Sequence, residues 1–371
     1  MLKTSSTAPL PPLTAIPRDI ACVSDYEAFA KPRMSEAAWA YFSGGAGNGS
    51  AIQRASQAFE EYLFLPRLLQ DFTQAHTHTD VLGRRYPFPV FLAPVAYQKM
   101  AHPHGELAST LAASAMQTLS VISMQSSTAI EDIAQQAQAP LWFQWYPQQD
   151  KLASKRLLQR VEQAGYEAIV FTLDAPINGI RYQEQRVGFT VPSEAQAVNL
   201  SAFKDQLAHV GQPGSSPIFD SGILQHSLSW AGLQEFIAET SLPVLVKGIL
   251  NPSDVELAIQ AGAAGIVVSN HGGRILDALP APITMLPKVV KAVDGRVPVL
   301  CDGGIRSGTQ VAIALALGAD AVMIGRPYIY GLTTAGAPGV AHVLHMLRTE
   351  LEACMTLVGA TCLQELKERL L

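Results

Sequence analysis

Residues 268–277 read VSNHGGRILD. A histidine, His271, stands before two glycines, and Arg274 follows three residues after it. An imidazole is the side chain whose ordinary pKa lets it take a proton near neutral pH. A guanidinium grips a carboxylate through two parallel hydrogen bonds. The glycines between them let the backbone approach a bound molecule closely. The stretch therefore sets a candidate base beside a candidate carboxylate clamp.

The other chemistry-bearing residues also fall where apolar runs end. LSVISM (119–124) holds Ser123 and is followed by Gln125, and LWFQWY (141–146) ends in Gln144, Trp145 and Tyr146. AIVFTLD (168–174) ends in Thr172 and Asp174, with Arg181 beyond, and PVLVKG (243–248) ends in Lys247. GIVVSN (265–270) runs through Ser269 into His271, VPVLCDGG (297–304) leads into DGGIR (302–306), and AVMIGR (321–326) ends in Gly325 and Arg326. Packing alone does not explain so many successive apolar runs that end in this way. Lys247 suits either a Schiff-base lysine or a fixed cation beside a developing anion, with a structural ion pair as the plain alternative. Asp174, if it meets His271, would orient the imidazole and stabilise its protonated form. Asp302, Gly304 and Arg306, before a helix starting near Ser307, and then Gly325 and Arg326 offer open backbone and two guanidiniums for a phosphate.

With FPVFLAP (88–94), the apolar runs number eight. Helical patterns separate them at 104–117, 126–138, 151–165 and 251–262, the second opening on SST as an N-cap and the last two ending at a Gly suited to a C-cap. Continuous apolar strands alternating with helices predict an α/β fold, a (β/α)8 TIM barrel, whose active site lies at the C-terminal strand ends. An open doubly wound sheet is the alternative, but no G-x-G-x-x-G follows the first run. Residues 1–371 are expected to form a single domain, with 1–87 as an N-terminal helical cap and 192–229 as a long, mobile, lid-like loop after the fourth strand.

Composition narrows the class. The 371 residues are 48% hydrophobic and 15% charged, with a net charge of −5, which offers no footprint for nucleic acid. Four separated cysteines without C-x-x-C read as reduced thiols of a cytoplasmic protein. The Pro-rich start has no signal-peptide core, and VAIALALGADAVMIG (311–325) reads as a buried helix and strand, so no membrane association is expected. HTH at 76–78 and HPH at 102–104 have metal-site spacing but read as solvated or capping residues, and no metal is expected. GAGNG (45–49) follows no strand and reads as the end of the helix around Trp39.

SNHGGRILD resembles the S-N-H-G-[AG]-R-x-L-D signature of the FMN-dependent α-hydroxy acid oxidases and dehydrogenases, the family of glycolate oxidase and lactate oxidase. The resemblance runs from about Asp25 to Leu366, through APVAYQKMAHPHGE, FQWY, TLDAP, SLSW, LPVLVKGI, DGGIRSG and ALALGADAVMIGRP. It implies FMN as cofactor, with Pro94, Val95 and Ala96 beside the flavin ring and Ser123, Gln144 and Thr172 hydrogen-bonded to it. Lys247 would sit at the N1 edge, Ser269 near the ribityl chain, and Asp302, Gly304, Arg306, Gly325 and Arg326 at the ribityl-phosphate end. Tyr26, Arg181 and Arg274 would hold the carboxylate of a 2-hydroxy acid, Tyr146 its hydroxyl region, and His271 would take the hydroxyl proton with support from Asp174.

The implied activity is oxidation of an L-2-hydroxy acid to the 2-keto acid, with O2 or another acceptor, in a homo-oligomer that is a tetramer by resemblance. Only 25 residues precede Tyr26, too few for an upstream haem module, and this leans toward an oxidase over a quinone- or cytochrome-linked dehydrogenase. A metal-dependent barrel hydrolase is the alternative from another class. The chain departs from the family at Gln125, where an aromatic residue is usual, at Ile180, where glycolate oxidase has an arginine, and at Trp145, which replaces a smaller aliphatic residue. Substrate preference is to be sought at Gln125, Trp145 and the long loop.

Overall fold

The eight apolar runs pair side by side in a computed structural model, which describes residues 8–203, 214–222, 224 and 227–371. The strands are β3 (Val90–Leu92), β4 (Ser120–Ser123), β5 (Leu141–Trp145), β6 (Ala168–Thr172), β7 (Val244–Ile249), β8 (Gly265–Val268), β9 (Val299–Asp302) and β10 (Ala321–Ile324), after a hairpin of β1 (Thr79–Val81) and β2 (Arg84–Tyr86). Each of the eight pairs in parallel with the next, and β10 returns to β3, so the barrel closes. Closure leaves no sheet edge and covers both faces of every strand, which is why the runs are apolar throughout.

Alternation along each strand then sorts the residues. Phe91, Val121, Trp142, Val170, Leu245, Val267, Leu300 and Met323 share one cluster inside the barrel. Their neighbours Leu92, Ile122, Phe143, Ile169, Val246, Ile266, Cys301 and Val322 join the layer between strands and helices. The period of two continues to the mouth. One step of two beyond the inner apolar layer come Ser123, Gln144, Thr172, Lys247, Ser269 and Asp302, all buried. Trp145 has the opposite phase and packs on Phe236, with ring centroids 5.1 Å apart. It lines neither cavity at the mouth, contrary to its expected part in specificity.

The hairpin is an element the sequence pattern did not reveal. Val81 and Tyr86 join the inner cluster, and the Thr79 hydroxyl donates to the carbonyl of Asp320, just before β10, at 2.7 Å. Residues 79–86 thus close the end of the barrel opposite the mouth. Within 1–87 the capping role belongs to the helices Glu36–Ser43 and Ser50–Gln57, which contact the site. The former ends at Gly44, as GAGNG suggested.

The helices Lys151–Gln163 and Ser253–Gln260 do end before left-handed glycines, Gly165 (φ 81°) and Gly262 (φ 98°). The helix read at 126–138 spans only Ile130–Gln136 and has no side-chain cap. Its SST is drawn elsewhere: the hydroxyls of Ser127 and Thr128 donate to the buried carboxylate of Glu106 at 2.8 and 2.9 Å. A buried charge loses more by going unpaired than an open helix end does.

The start of the 192–229 segment is pinned. Asn199, 1% exposed, accepts from the Ile130 N–H and donates to Ser126 Oγ and the Thr128 carbonyl. The lid expectation for 204–213, 223, 225 and 226 lies outside the described residues. Among the described residues no helix is long and apolar enough to cross a membrane.

Candidate active site

At the mouth the inward polar side chains form a hydrogen-bonded belt. Ser123 Oγ donates to Gln144 Oε1 at 3.1 Å, and Gln144 Nε2 donates to Thr172 Oγ1 at 3.1 Å. Lys247 Nζ donates to Ser269 Oγ at 2.9 Å and lies 3.3 Å from Asp302 Oδ2. Burial works against the Lys247 ammonium, yet Asp302 and Asp174 together raise its pKa above the ordinary value, so it stays charged. Ser269 is fully buried and sits behind the cleft instead of facing it. Its hydroxyl serves Lys247 and also accepts the backbone N–H of His271 at 3.0 Å.

That second bond helps to hold an unusual turn. His271, Gly272 and Gly273 have φ of 57°, 61° and 73°, and a histidine in the left-handed region is uncommon. Asn270 Oδ1 accepts the Gly273 N–H at 3.1 Å and fastens the turn. The imidazole is thereby aimed across the mouth, with Nδ1 2.8 Å from Asp174 Oδ1 and Nε2 3.2 Å from the Tyr146 hydroxyl. An ionised Asp174 makes Nδ1 the protonated nitrogen and leaves the Nε2 lone pair toward the site.

The electrostatics agree. Burial holds the His271 pKa below the ordinary imidazole value, with Lys247 and Arg274 adding to the effect against the opposing pull of Asp174. Burial raises Asp174, but His271 and Lys247 outweigh it and the carboxyl titrates below its usual range. Asp174 reaches this place because residue 248 is a glycine. Gly248 has φ 105°, and a Cβ there would lie 2.5 Å from Asp174 Cβ. The β7–β8 register also shifts at this point.

Arg274 lies beside this pair. Its guanidinium stacks over the Tyr41 ring at 4.6 Å and donates to the Tyr41 and Gly44 carbonyls. Arg181 and Arg274 both bond Glu184. Tyr26 does not belong to the group. The buried face of its helix, Tyr26 and Ala30, packs on the long helix Arg326–Val358, and its hydroxyl meets His342 Nδ1 at 2.8 Å. Of the cap helix Glu36–Ser43, Tyr41 lines both cavities and Phe42 the first, and no motif in the sequence marks either. Ile180 is exposed and lines neither cavity. Gln125 lines both, as expected of a residue near a substrate.

Two cavities meet here. The first holds about 1090 Å³ of empty space, counting its open mouth, and is bordered by Pro94, Val95, Ala96, Ser123, Gln144, Thr172, Lys247, Asp302, Gly304, Arg306, Gly325 and Arg326. The second is bordered by Asp174, Arg181, Phe189 and Trp230. His271, Tyr146, Arg274, Tyr41, Gln125 and Thr172 border both.

The first cavity suits a polar, anionic cofactor. Asp302 Oδ1 is buried without a partner, as a carboxylate awaiting a hydroxyl would be. Gly304 has φ 83°, and a Cβ would come within 2.2 Å of the Ala55 carbonyl oxygen, so the cradle admits only glycine. Burial, with Arg274 and Arg306 nearby, pushes the Arg326 pKa down to about 9. A phosphate beside these guanidiniums would remove that penalty. Arg326 also ties the cap to the histidine turn, donating to the Phe42, Gly272 and Gly44 carbonyls at 3.0, 2.8 and 2.7 Å. The metal-spaced histidines lie apart from both cavities: His76 stacks on His78, and His102 abuts Gly336.

A closed parallel barrel whose mouth gathers a His–Asp pair, two arginines and a glycine-lined cleft with further guanidiniums has the layout of a cofactor-binding barrel. The chain belongs to the FMN-dependent dehydrogenase family, whose model matches residues 30–371. FMN is the cofactor of that family, and the membership displaces the metal-hydrolase alternative. The chain is 44% identical to an L-lactate oxidase of Roseobacter sp. (strain GAI101) over 349 residues, 94% of each chain. It is 39% identical to glycolate oxidase 1 of Zea mays, over 95% of each. A mandelate oxidase structure with (S)-2-phenylpropionate superposes with a TM-score of 0.85 at 38% identity, covering 94% of this chain and 97% of that one. All three relatives are hydroxy acid oxidases by name.

Proposed function

We propose that the protein is an FMN-dependent L-2-hydroxy acid oxidase that forms the 2-keto acid and, on reoxidation by O2, hydrogen peroxide. The observation that carries this is the meeting of two cavities at His271. The first cavity takes FMN. Pro94, Val95 and Ala96 run along the ring, Ser123, Gln144 and Thr172 bond its polar edge, and Lys247 supplies positive charge. Asp302 serves the ribityl hydroxyls, while Gly304, Gly325, Arg306 and Arg326 face the phosphate. Bound FMN supplies a two-electron acceptor.

The substrate lies in the second cavity. Arg181, Arg274 and Tyr41 hold its carboxylate, and Tyr146 hydrogen-bonds its hydroxyl region. His271 Nε2 takes the hydroxyl proton, and Asp174 stabilises the imidazolium that results. The substrate side chain extends toward Gln125. The resemblance to the family supports a homotetramer, which light scattering tests.

The test is an absorption spectrum of the purified protein, then anaerobic addition of L-lactate and of longer and aromatic L-2-hydroxy acids. A yellow protein bleached by one of the acids, and rapidly recoloured by air with peroxide formed, meets the proposal. Slow recolouring that a quinone accelerates would make it a dehydrogenase. A yellow protein bleached by none of the acids would remove the substrate claim.

A further inference from the structure

The two arginines assigned to the substrate carboxylate already share a carboxylate of the chain. Arg181 Nη1 donates to both oxygens of Glu184, at 2.9 and 3.1 Å. Arg274 Nη2 donates to Glu184 Oε1 at 3.1 Å. The three side chains are 12%, 16% and 14% exposed, so solvent screens them little. Arg181 and Glu184 stand three residues apart at the start of the helix Tyr182–Arg186, which brings them onto one face. Arg274 comes from the far side, on the turn after β8. Glu184 therefore bonds across two elements that lie far apart in the sequence.

Two positive charges and one negative leave the clamp with a single positive charge. Arg181 Nε remains buried and unpartnered. The described lining of the cavity beyond adds no further cation for a second anion. Among its described bordering residues the only arginines or lysines are Arg181 and Arg274, while the carboxylates are Asp174, Glu184 and Asp254.

We propose that Glu184 is a positioning residue that aligns Arg181 with Arg274 and halves their charge, so that the site selects 2-hydroxy monocarboxylic acids and excludes dicarboxylic ones. This rests on the clamp assignment made above. A substrate with one carboxylate neutralises the clamp, whereas a second carboxylate would be desolvated beside Asp174 and Asp254 with no further arginine or lysine among the described lining residues.

The holoenzyme tests this through the change in flavin absorbance when propionate or malonate binds, at fixed ionic strength and at a pH where malonate is a dianion. The wild type is expected to bind malonate no more tightly than propionate. Glu184→Gln shifts the ratio of the two dissociation constants toward malonate by about tenfold or more, because a unit charge is removed within hydrogen-bond range. Glu184→Asp keeps the charge and holds the ratio within about threefold of wild type.

Turnover follows the same order: the kcat/KM for L-malate relative to L-lactate rises in Glu184→Gln only. A merely structural Glu184 would weaken both anions together and leave the ratio unmoved, which overturns the proposal. Malonate binding about tenfold tighter than propionate in the wild type overturns it without any variant. If neither anion competes with substrate, the clamp assignment itself falls and takes the proposal with it.

Discussion

Replacing Asp174 with Asn isolates the electrostatic part of the proposed proton transfer. The amide has nearly the size of the carboxylate and can still accept from His271 Nδ1, now 2.8 Å away, but it carries no charge. In the transition state the imidazole gains a proton. At about 4 Å, with an effective dielectric constant of about 20, opposite charges attract by about 4 kcal/mol. With the side chains 20% and 9% exposed, little of this is screened. The surviving neutral hydrogen bond returns about 1 kcal/mol. A net loss of about 2–3 kcal/mol corresponds to a flavin-reduction rate lower by roughly 30- to 150-fold.

The variant should keep its KM within about threefold, because Asp174 makes no contact with Arg181 or Arg274. The pH profile gives an independent sign. As the proposed base, His271 must be neutral to act, so the wild-type rate should fall as pH drops through its pKa, which burial places below the ordinary imidazole value. Asp174 raises that pKa, so its loss moves the acid limb to still lower pH while the plateau falls. Anaerobic stopped-flow bleaching of the flavin across a pH series reads both. A plateau within about threefold of wild type, or an acid limb displaced upward, would refute the assigned role.

His271→Ala should lower the reduction rate by about 10²–10⁴-fold while FMN stays bound, as absorbance and stopped-flow would show. Gly248→Ala places a methyl against Asp174, 2.5 Å from its Cβ, and should reproduce the rate loss of Asp174→Asn with an untouched His271 sequence. Tyr26→Phe gives up one hydrogen bond to His342 and should cost about 1 kcal/mol of stability in denaturant titration without altering KM or kcat. Tyr41→Phe should instead raise KM in steady-state assays. Lys247→Met leaves Asp302 buried opposite an apolar chain, and should destabilise the apoprotein by about 3–5 kcal/mol, seen as a lower Tm.

The barrel was legible because its strands are apolar on both faces and fall in order between helical stretches. The mouth was legible because polar residues end those strands. What escaped depended on side-chain phase. Tyr26 and Tyr41 are both tyrosines of N-terminal helices, and only the packing of Tyr26 on the long helix sends it away from the mouth. Ser269 has the inward phase but is taken up by Lys247 and the His271 N–H, while Trp145 has the outward one. Counting by two from Trp142 gives Gln144 inward and Trp145 outward, a signal already present in the sequence. The β1–β2 hairpin is three residues a side, too short for a pattern to declare itself. Glu184 carried no signal, because its meaning comes from Arg274, ninety residues away.

Strand phase also limits how such a sequence can change. A one-residue deletion between Trp142 and Gln144 would turn the chain beyond it by half a period, bringing Trp145 into the cofactor cleft and burying Gln144 among the helices. The damage would spread through both clusters at once. Substitutions at the inward mouth positions leave every apolar layer in place, and changes of length are harmless only in the connecting loops. Divergence of specificity in this enzyme is thus channelled into single exchanges at the strand ends and insertions such as 192–229, while the strands keep a fixed count.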